Sequence, residues 1–146
     1  LVNIKNLGMP MPNCSILLSP WTDLSLSGDS IGANADSDVM LTAGALKKTA
    51  DHYLGQSDHR APLASPLFAD LSGLPATFVQ VSESEILLSD AQRLVTKMVD
   101  AGGEAMLETW PKMPHVWQIL ASRVPEGKAA IVKLGEFLKA RLRSAV

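Results

Sequence analysis

The stretch A-T-F-V-Q-V-S-E-S-E-I-L-L-S-D-A-Q-R-L-V-T-K-M-V-D-A-G-G-E-A-M-L-E-T-W, residues 76–110, decides the fold. Its first part, Ala76 to Val81, follows Pro75 and is β-branched and aromatic, as a buried strand is. The period then changes. Ser89 opens a helix: Ser89 and Gln92 form an S-x-x-Q capping box, and Ala91, Leu94, Val95, Met98 and Val99 recur at i, i+3, i+4, i+7 and i+8. Gly102-Gly103 ends that helix, and Glu104 to Trp110 alternates as a further strand until Pro111. A strand, a helix and a strand in immediate succession predict a crossover unit, in which the two strands run parallel.

Working outward, Cys14 to Leu18 (C-S-I-L-L) is a short apolar run stopped by Ser19-Pro20 and reads as another strand. Trp21 to Asp38 is crowded with Ser, Gly, Asp and Asn and reads as one long loop. A short amphipathic helix starts at Leu41-Thr42 with Thr42 as N-cap, carries Leu46, Ala50, Tyr53 and Leu54 on its apolar side, and stops at Gly55. Gln56 to Pro75, punctuated by Pro62, Pro66 and Pro75, reads as an ordered surface loop. Two helices close the chain. The second runs from about Glu126 to Arg143, with Ala130, Ile131, Leu134, Phe137, Leu138 and Leu142 on one side and Lys and Arg in its last turns. The whole is an α/β layer of three parallel strands alternating with helices, whose functional groups belong in the loops beyond the carboxyl ends of the strands.

Composition narrows the function classes. The 146 residues are 47% hydrophobic and 19% charged, which suits one globular domain or part of one. The net charge is −2, and the basic residues cluster only at Lys47-Lys48 and loosely over Lys139 to Arg143, so nucleic acid is not an expected partner. With one cysteine, Cys14, three histidines and no C-x-x-C or H-x-x-x-H spacing, neither a disulfide nor a metal or other cofactor is expected, and a reducing cytoplasmic setting fits. No apolar stretch approaches the ~20 residues of a membrane span.

Two loops that follow strands carry ionisable groups: Ser82-Glu83-Ser84-Glu85, and Lys112-Met113-Pro114-His115. At one sheet edge a carboxylate and an imidazole make two thirds of a hydrolytic triad, the acid fixing the tautomer of a histidine that acts as base and then as acid. The plainer reading is a solvated glutamate and a surface histidine. His52 falls on the polar side of its helix and His59 in a loop, and both read as structural. Phe68, Met113, Val116 and Trp117 suit a core at least as well as an acyl pocket.

Four motifs in order, L-L-S-P-W-T-D-L-S-L-S-G-D-S, P-L-A-S-P-L-F-A-D-L-S-G-L-P, V-S-E-S-E-I-L-L-S-D-A and E-T-W-P-K-M-P-H-V-W-Q, span about Leu7 to Leu138 together with their flanks. On them the chain resembles the C-terminal half of the bacterial hormone-sensitive-lipase-like esterases (family IV), which have the α/β-hydrolase fold and hydrolyse carboxylic esters of short to medium acyl chains. The resemblance implies that residues 1–146 are the C-terminal part of a single α/β-hydrolase domain. It puts the family's histidine on His115 and its acid on Glu85, 30 residues earlier, with glutamate in place of the commoner aspartate. Glu83 is the runner-up acid. Family members often dimerise through the last sheet strand, which would make Glu104 to Trp110 an interface.

Such an enzyme needs a serine on a G-x-S-x-G elbow and an H-G-G-G-type oxyanion segment. Gly28-Asp29-Ser30-Ile31-Gly32 matches the first pattern literally, but Ser25-Leu26-Ser27 precedes it where a buried strand is required and Ala33-Asn34-Ala35-Asp36 follows it where a helix is required. Ser30 is therefore not expected to be the nucleophile. No H-G-G-G occurs, and both elements are expected before Leu1, on an N-terminal half of the same enzyme that pairs along Cys14 to Leu18. The expected function is ester hydrolysis of a small-molecule substrate by a Ser-His-acid triad to which this chain supplies Glu85 and His115, without being active alone. The alternative is a catalytically silent α/β module that binds a ligand or partner through the same loops.

Overall fold

The apolar runs at the heart of the chain pair as three parallel strands, β1 (Cys14–Leu18), β2 (Ala76–Ser82) and β3 (Ala105–Trp110), in the order β1-β2-β3. The computed structural model describes residues 1–143. Cys14 lies opposite Ala76 and Leu18 opposite Gln80, while Thr77 faces Ala105 and Ser82 faces Trp110, so all three strands end on the same edge. The helices are α1 (Val2–Asn6), α2 (Ser30–Ala33), α3 (Ala43–Leu54), α4 (Leu88–Asp100) and α5 (Pro125–Arg143), with 3₁₀ turns at Pro66–Phe68 and Trp117–Leu120.

Alternation along β2 sorts the core onto two faces. Val79 and Val81 pack with Ala91 of α4, with Leu17 and Leu107 from the flanking strands beside them. Leu94 and Met98 continue that layer to Leu67 and Leu71. Phe78 points the other way and meets Leu134 and Phe137 of α5, its ring centroid 5.4 Å from that of Phe137. A parallel sheet covered on both faces is buried throughout its central strand, and six of the seven β2 residues are buried.

Several local expectations need correction. Helix α4 begins at Leu88 with no side-chain cap, so the Ser89/Gln92 capping box does not form. Ser89 is instead engaged in tertiary bonds: its Oγ accepts the Ser30 amide N–H at 2.8 Å and its own N–H donates to Ser30 Oγ at 2.9 Å. Val99 of the α4 stripe is exposed, as are Tyr53 of α3 and Ile131 and Leu142 of α5, which narrows each apolar face. The long loop from Trp21 to Asp38 contains the short helix α2, and the first of the two closing helices is only the 3₁₀ turn Trp117–Leu120. Thr42 does cap α3, its side chain accepting from the Ala45 amide at 3.2 Å, and Gly55 follows that helix at φ +59°.

Candidate active site

Glu85 leaves the end of β2 by a three-residue step, and its side chain is 1% exposed. A buried carboxylate must find donors. Its Oε1 accepts the Ser82 amide at 2.8 Å and the Ser19 hydroxyl at 2.7 Å, and its Oε2 meets His115 Nδ1 at 2.7 Å. A carboxylate only accepts, so Nδ1 carries a proton; in the neutral ring Nε2, which has no hydrogen-bond partner among the described residues, is then the nitrogen with a free lone pair. His115 keeps 24% of its side chain exposed.

The turn that carries His115 is held at several points. Lys112 and Val116, on either side of it, both adopt left-handed backbone, at φ +57° and +52°. The Met113 amide donates to Ser82 Oγ at 3.1 Å, and the Val116 amide donates to Ser19 Oγ at 3.2 Å. Trp117 is fully buried with its ring centroid 5.8 Å from that of Trp110. Gln118 Nε2 donates to Gln80 Oε1 at 2.9 Å, tying the turn to the floor of the sheet.

The acid loop is held from outside by residues 28–38. Asn34 Nδ2 donates to the carbonyls of Glu83 and Glu85, each at 2.8 Å, and Ser37 Oγ donates to the Ser84 carbonyl at 3.0 Å. Asp38 Oδ2 accepts the Ile86 amide at 2.9 Å. Ser30 Oγ donates to the Ile86 carbonyl at 2.6 Å while accepting from Ser89, and Ser30 is buried, so this serine is a clamp on the acid loop. Glycine suits position 28 because a Cβ there would come within 2.9 Å of Ser89 Cβ.

The structure brings Glu85 and His115 together and leaves Glu83 apart. Glu83 is exposed and accepts from Thr109 Oγ1 at 3.0 Å. His59 binds Asp51 Oδ1 at 3.0 Å on the surface, and His52 is exposed. Of the residues weighed between core and pocket, Trp117 is core, Phe68 lies under Arg60 at 5.1 Å, and Met113 borders a pocket of ≈ 390 Å³ shared with Ser37, Val39, Ser84, Lys112 and Pro114. A larger apolar groove of ≈ 460 Å³, bordered by Leu17, Trp21, Leu63 and Met98, includes neither Glu85 nor His115. No cluster of metal-binding side chains occurs among the described residues.

A second buried carboxylate lies near the clamp. Asp90 Oδ2 accepts the amides of Thr22 at 2.7 Å and Asp23 at 2.8 Å, while Oδ1 has no partner. Burial pushes the Asp90 carboxyl up to about 6, against the pull of those two amides. Burial also acts to raise the neighbouring Asp23, but hydrogen bonds from Ser25 and Ser27 outweigh it and hold that carboxyl below its ordinary value. Arg93 Nη1 binds Asp23 Oδ2 at 3.1 Å.

Residues 1–119 match the family model described as alpha/beta hydrolase fold. The chain belongs to the α/β-hydrolase fold family. An acetyl-hydrolase of Streptomyces hygroscopicus is 38% identical over 136 residues, 93% of this chain and 46% of that protein. The crystal structure of an esterase from the bacterial hormone-sensitive lipase family superposes with a TM-score of 0.95 at 46% identity, covering 97% of this chain and 48% of that one. An esterase crystal soaked with p-nitrophenyl butyrate matches at a TM-score of 0.92 and 40% identity, over 96% of this chain and 47% of that one. The likeness to bacterial hormone-sensitive-lipase-like esterases read from the motifs is thus borne out, as is the α/β-hydrolase fold with its parallel strands. The chain spans about half the length of the relatives it matches.

Sequence reasoning singled out Glu85 and His115, which the structure brings into contact, but gave no role to Ser19 or to the clamp of Ser30, Asn34, Ser37 and Asp38. The density of Ser, Asn and Asp over 21–38 was the available signal, since such side chains bond backbone groups, but which backbone they reach is tertiary information.

Proposed function

We propose that the chain is the acid- and base-bearing part of a carboxylic ester hydrolase. Glu85 holds His115 with Nδ1 protonated. As a serine Oγ attacks the ester carbonyl, His115 Nε2 takes the hydroxyl proton. The imidazolium then gives that proton to the departing alcohol as the tetrahedral intermediate collapses to the acyl-enzyme. Water enters by the same route, losing a proton to Nε2 as it attacks, and the serine recovers it on leaving. Glu85 stabilises the imidazolium without being protonated in the cycle. The observation that carries this reading is the 2.7 Å contact of a buried carboxylate with the partly exposed His115 at the carboxyl edge of the sheet. The substrate class in this reading is esters of short to medium acyl chains; the relatives named acetyl-hydrolase and esterase support an ester substrate and the short end of that range.

The nucleophile and the oxyanion donors come, in this reading, from an N-terminal half of the same enzyme, so residues 1–146 form the C-terminal part of one hydrolase domain. Ser30 does not fill the role, because its hydroxyl is buried, its proton given to the Ile86 carbonyl and its lone pair to the Ser89 amide of α4. The outer edge of β3 is the proposed homodimer contact. The experiment is His115→Ala in the ester-hydrolysing assembly, with p-nitrophenyl butyrate as substrate and a fluorophosphonate as serine label. Turnover should fall by roughly 10³-fold or more. The adduct should form on a serine outside residues 1–146. Activity that survives the substitution sinks the assignment of the base, and an adduct on Ser30 sinks the division of the site.

A further inference from the structure

Ser19 is the first residue after β1, buried, with its backbone in the left-handed region at φ +46°. A non-glycine residue rarely occupies that region, because its Cβ crowds the following carbonyl, and glycine relieves the strain at no steric cost. A serine held there needs a reason in its side chain. Its Oγ donates to Glu85 Oε1 at 2.7 Å and accepts the Val116 amide at 3.2 Å. Its own amide donates to the Gln80 carbonyl at 2.7 Å, which fixes the backbone from which Oγ projects. One hydroxyl therefore bridges the carboxylate of the acid and the residue that follows His115.

We propose that Ser19 is a positioning residue for the Glu85–His115 pair, setting the carboxylate plane and the histidine turn in one register; this rests on the ester-hydrolase reading above. Glu85 Oε1 is held by two donors, Ser19 Oγ and Ser82 N–H, so that Oε2 alone is presented to Nδ1. Without Oγ, Oε1 keeps a single donor, the Ser82 amide, and the carboxylate can rotate. The Val116 amide, in its left-handed turn, loses its acceptor at the same time. Both losses act on the placement of the imidazole against the reacting atoms and remove no contact other than those of Ser19.

The test compares Ser19→Ala, Ser19→Gly and His115→Ala in the ester-hydrolysing assembly, measuring kcat and KM for p-nitrophenyl butyrate together with the thermal midpoint. Both Ser19 variants should lose roughly 10- to 100-fold in kcat, the weight of a hydrogen bond to a charged group, with KM nearly unchanged. Ser19→Gly, whose backbone accommodates the positive φ, should melt higher than Ser19→Ala and yet be no more active. Activity that instead follows the melting temperature, or a glycine variant with wild-type kcat, overturns the proposal and leaves only a structural role. An inactive His115→Ala enzyme beside fully active Ser19 variants refutes Ser19 alone, whereas an active His115→Ala enzyme refutes the underlying triad.

Discussion

At Glu85 the donors dictate what a conservative change does. In Glu85→Gln the amide oxygen must take the Oε1 position, where Ser82 N–H and Ser19 Oγ–H both donate, which turns the NH₂ group toward His115 Nδ1. Nδ1 must then be the unprotonated nitrogen, and Nε2, carrying the proton, can no longer accept one. We expect a fold left intact by circular dichroism and a kcat reduced about 10⁴-fold, the cost of a wrong tautomer in such triads. Asp90 makes a different prediction. Its carboxyl titrates near 6 in the folded chain, raised from 3.8 by burial, so its contribution to stability is fully present below about 3.8 and is lost as pH rises through about 6. Asp90→Asn keeps an acceptor for the Thr22 and Asp23 amides and has no charge to bury. Thermal melts should therefore show the variant gaining on the wild type from pH 4 to about pH 7, and equal slopes across that window would contradict the assignment.

Among the elements, the segment 28–38 does the most for the least regular structure. Asn34 ties down two carbonyls of the acid loop with one amide group. Asn34→Ala should speed hydrogen exchange of the 83–88 amides roughly tenfold while sparing those of β2, as the loss of about 1–2 kcal/mol of local hydrogen bonding implies. Gly127, inside α5, is a second such point: a Cβ there would sit 3.0 Å from the Ala121 backbone and from the Trp117 carbonyl. Gly127→Ala should cost about 1–3 kcal/mol in a denaturant melt by pushing α5 off the turn that follows His115. How much of this was legible in the sequence follows from the range of the interactions. The strands and α4 could be read because their period and their Gly and Pro punctuation are local. That Glu85 and His115 meet could be anticipated because motif likeness carries long-range information that spacing alone does not. The clamp could not be read: Ser30 and Ser89 recognise each other across 59 residues, so Ser89 looks like a cap, and Ser30, though its flanks rule it out as an elbow serine, shows no role of its own until the chain is folded.

For the whole molecule, the sheet has an outer edge on each side, since β1 and β3 each pair only with β2 among the described residues. An exposed edge of unpaired amides and carbonyls invites another strand. If an N-terminal half pairs along Cys14 to Leu18, the 15.6 kDa chain in isolation should self-associate or unfold without a sharp transition. Light scattering coupled to size exclusion, followed by a calorimetric scan, checks this, and a monodisperse, cooperatively unfolding monomer counts against it. The three parallel strands deliver Ser19, Glu85 and His115 to one edge within a few residues of each strand's last ladder position. Evolution consequently has little room to alter chain length between strand and side chain there. A single inserted residue in 83–84 or 111–114 would carry Glu85 and His115 out of each other's reach, while the exposed start of the connection after α3, 55–58, could lengthen or shorten with the pair undisturbed. Indels among natural homologues should therefore collect in that stretch and avoid the two short spans.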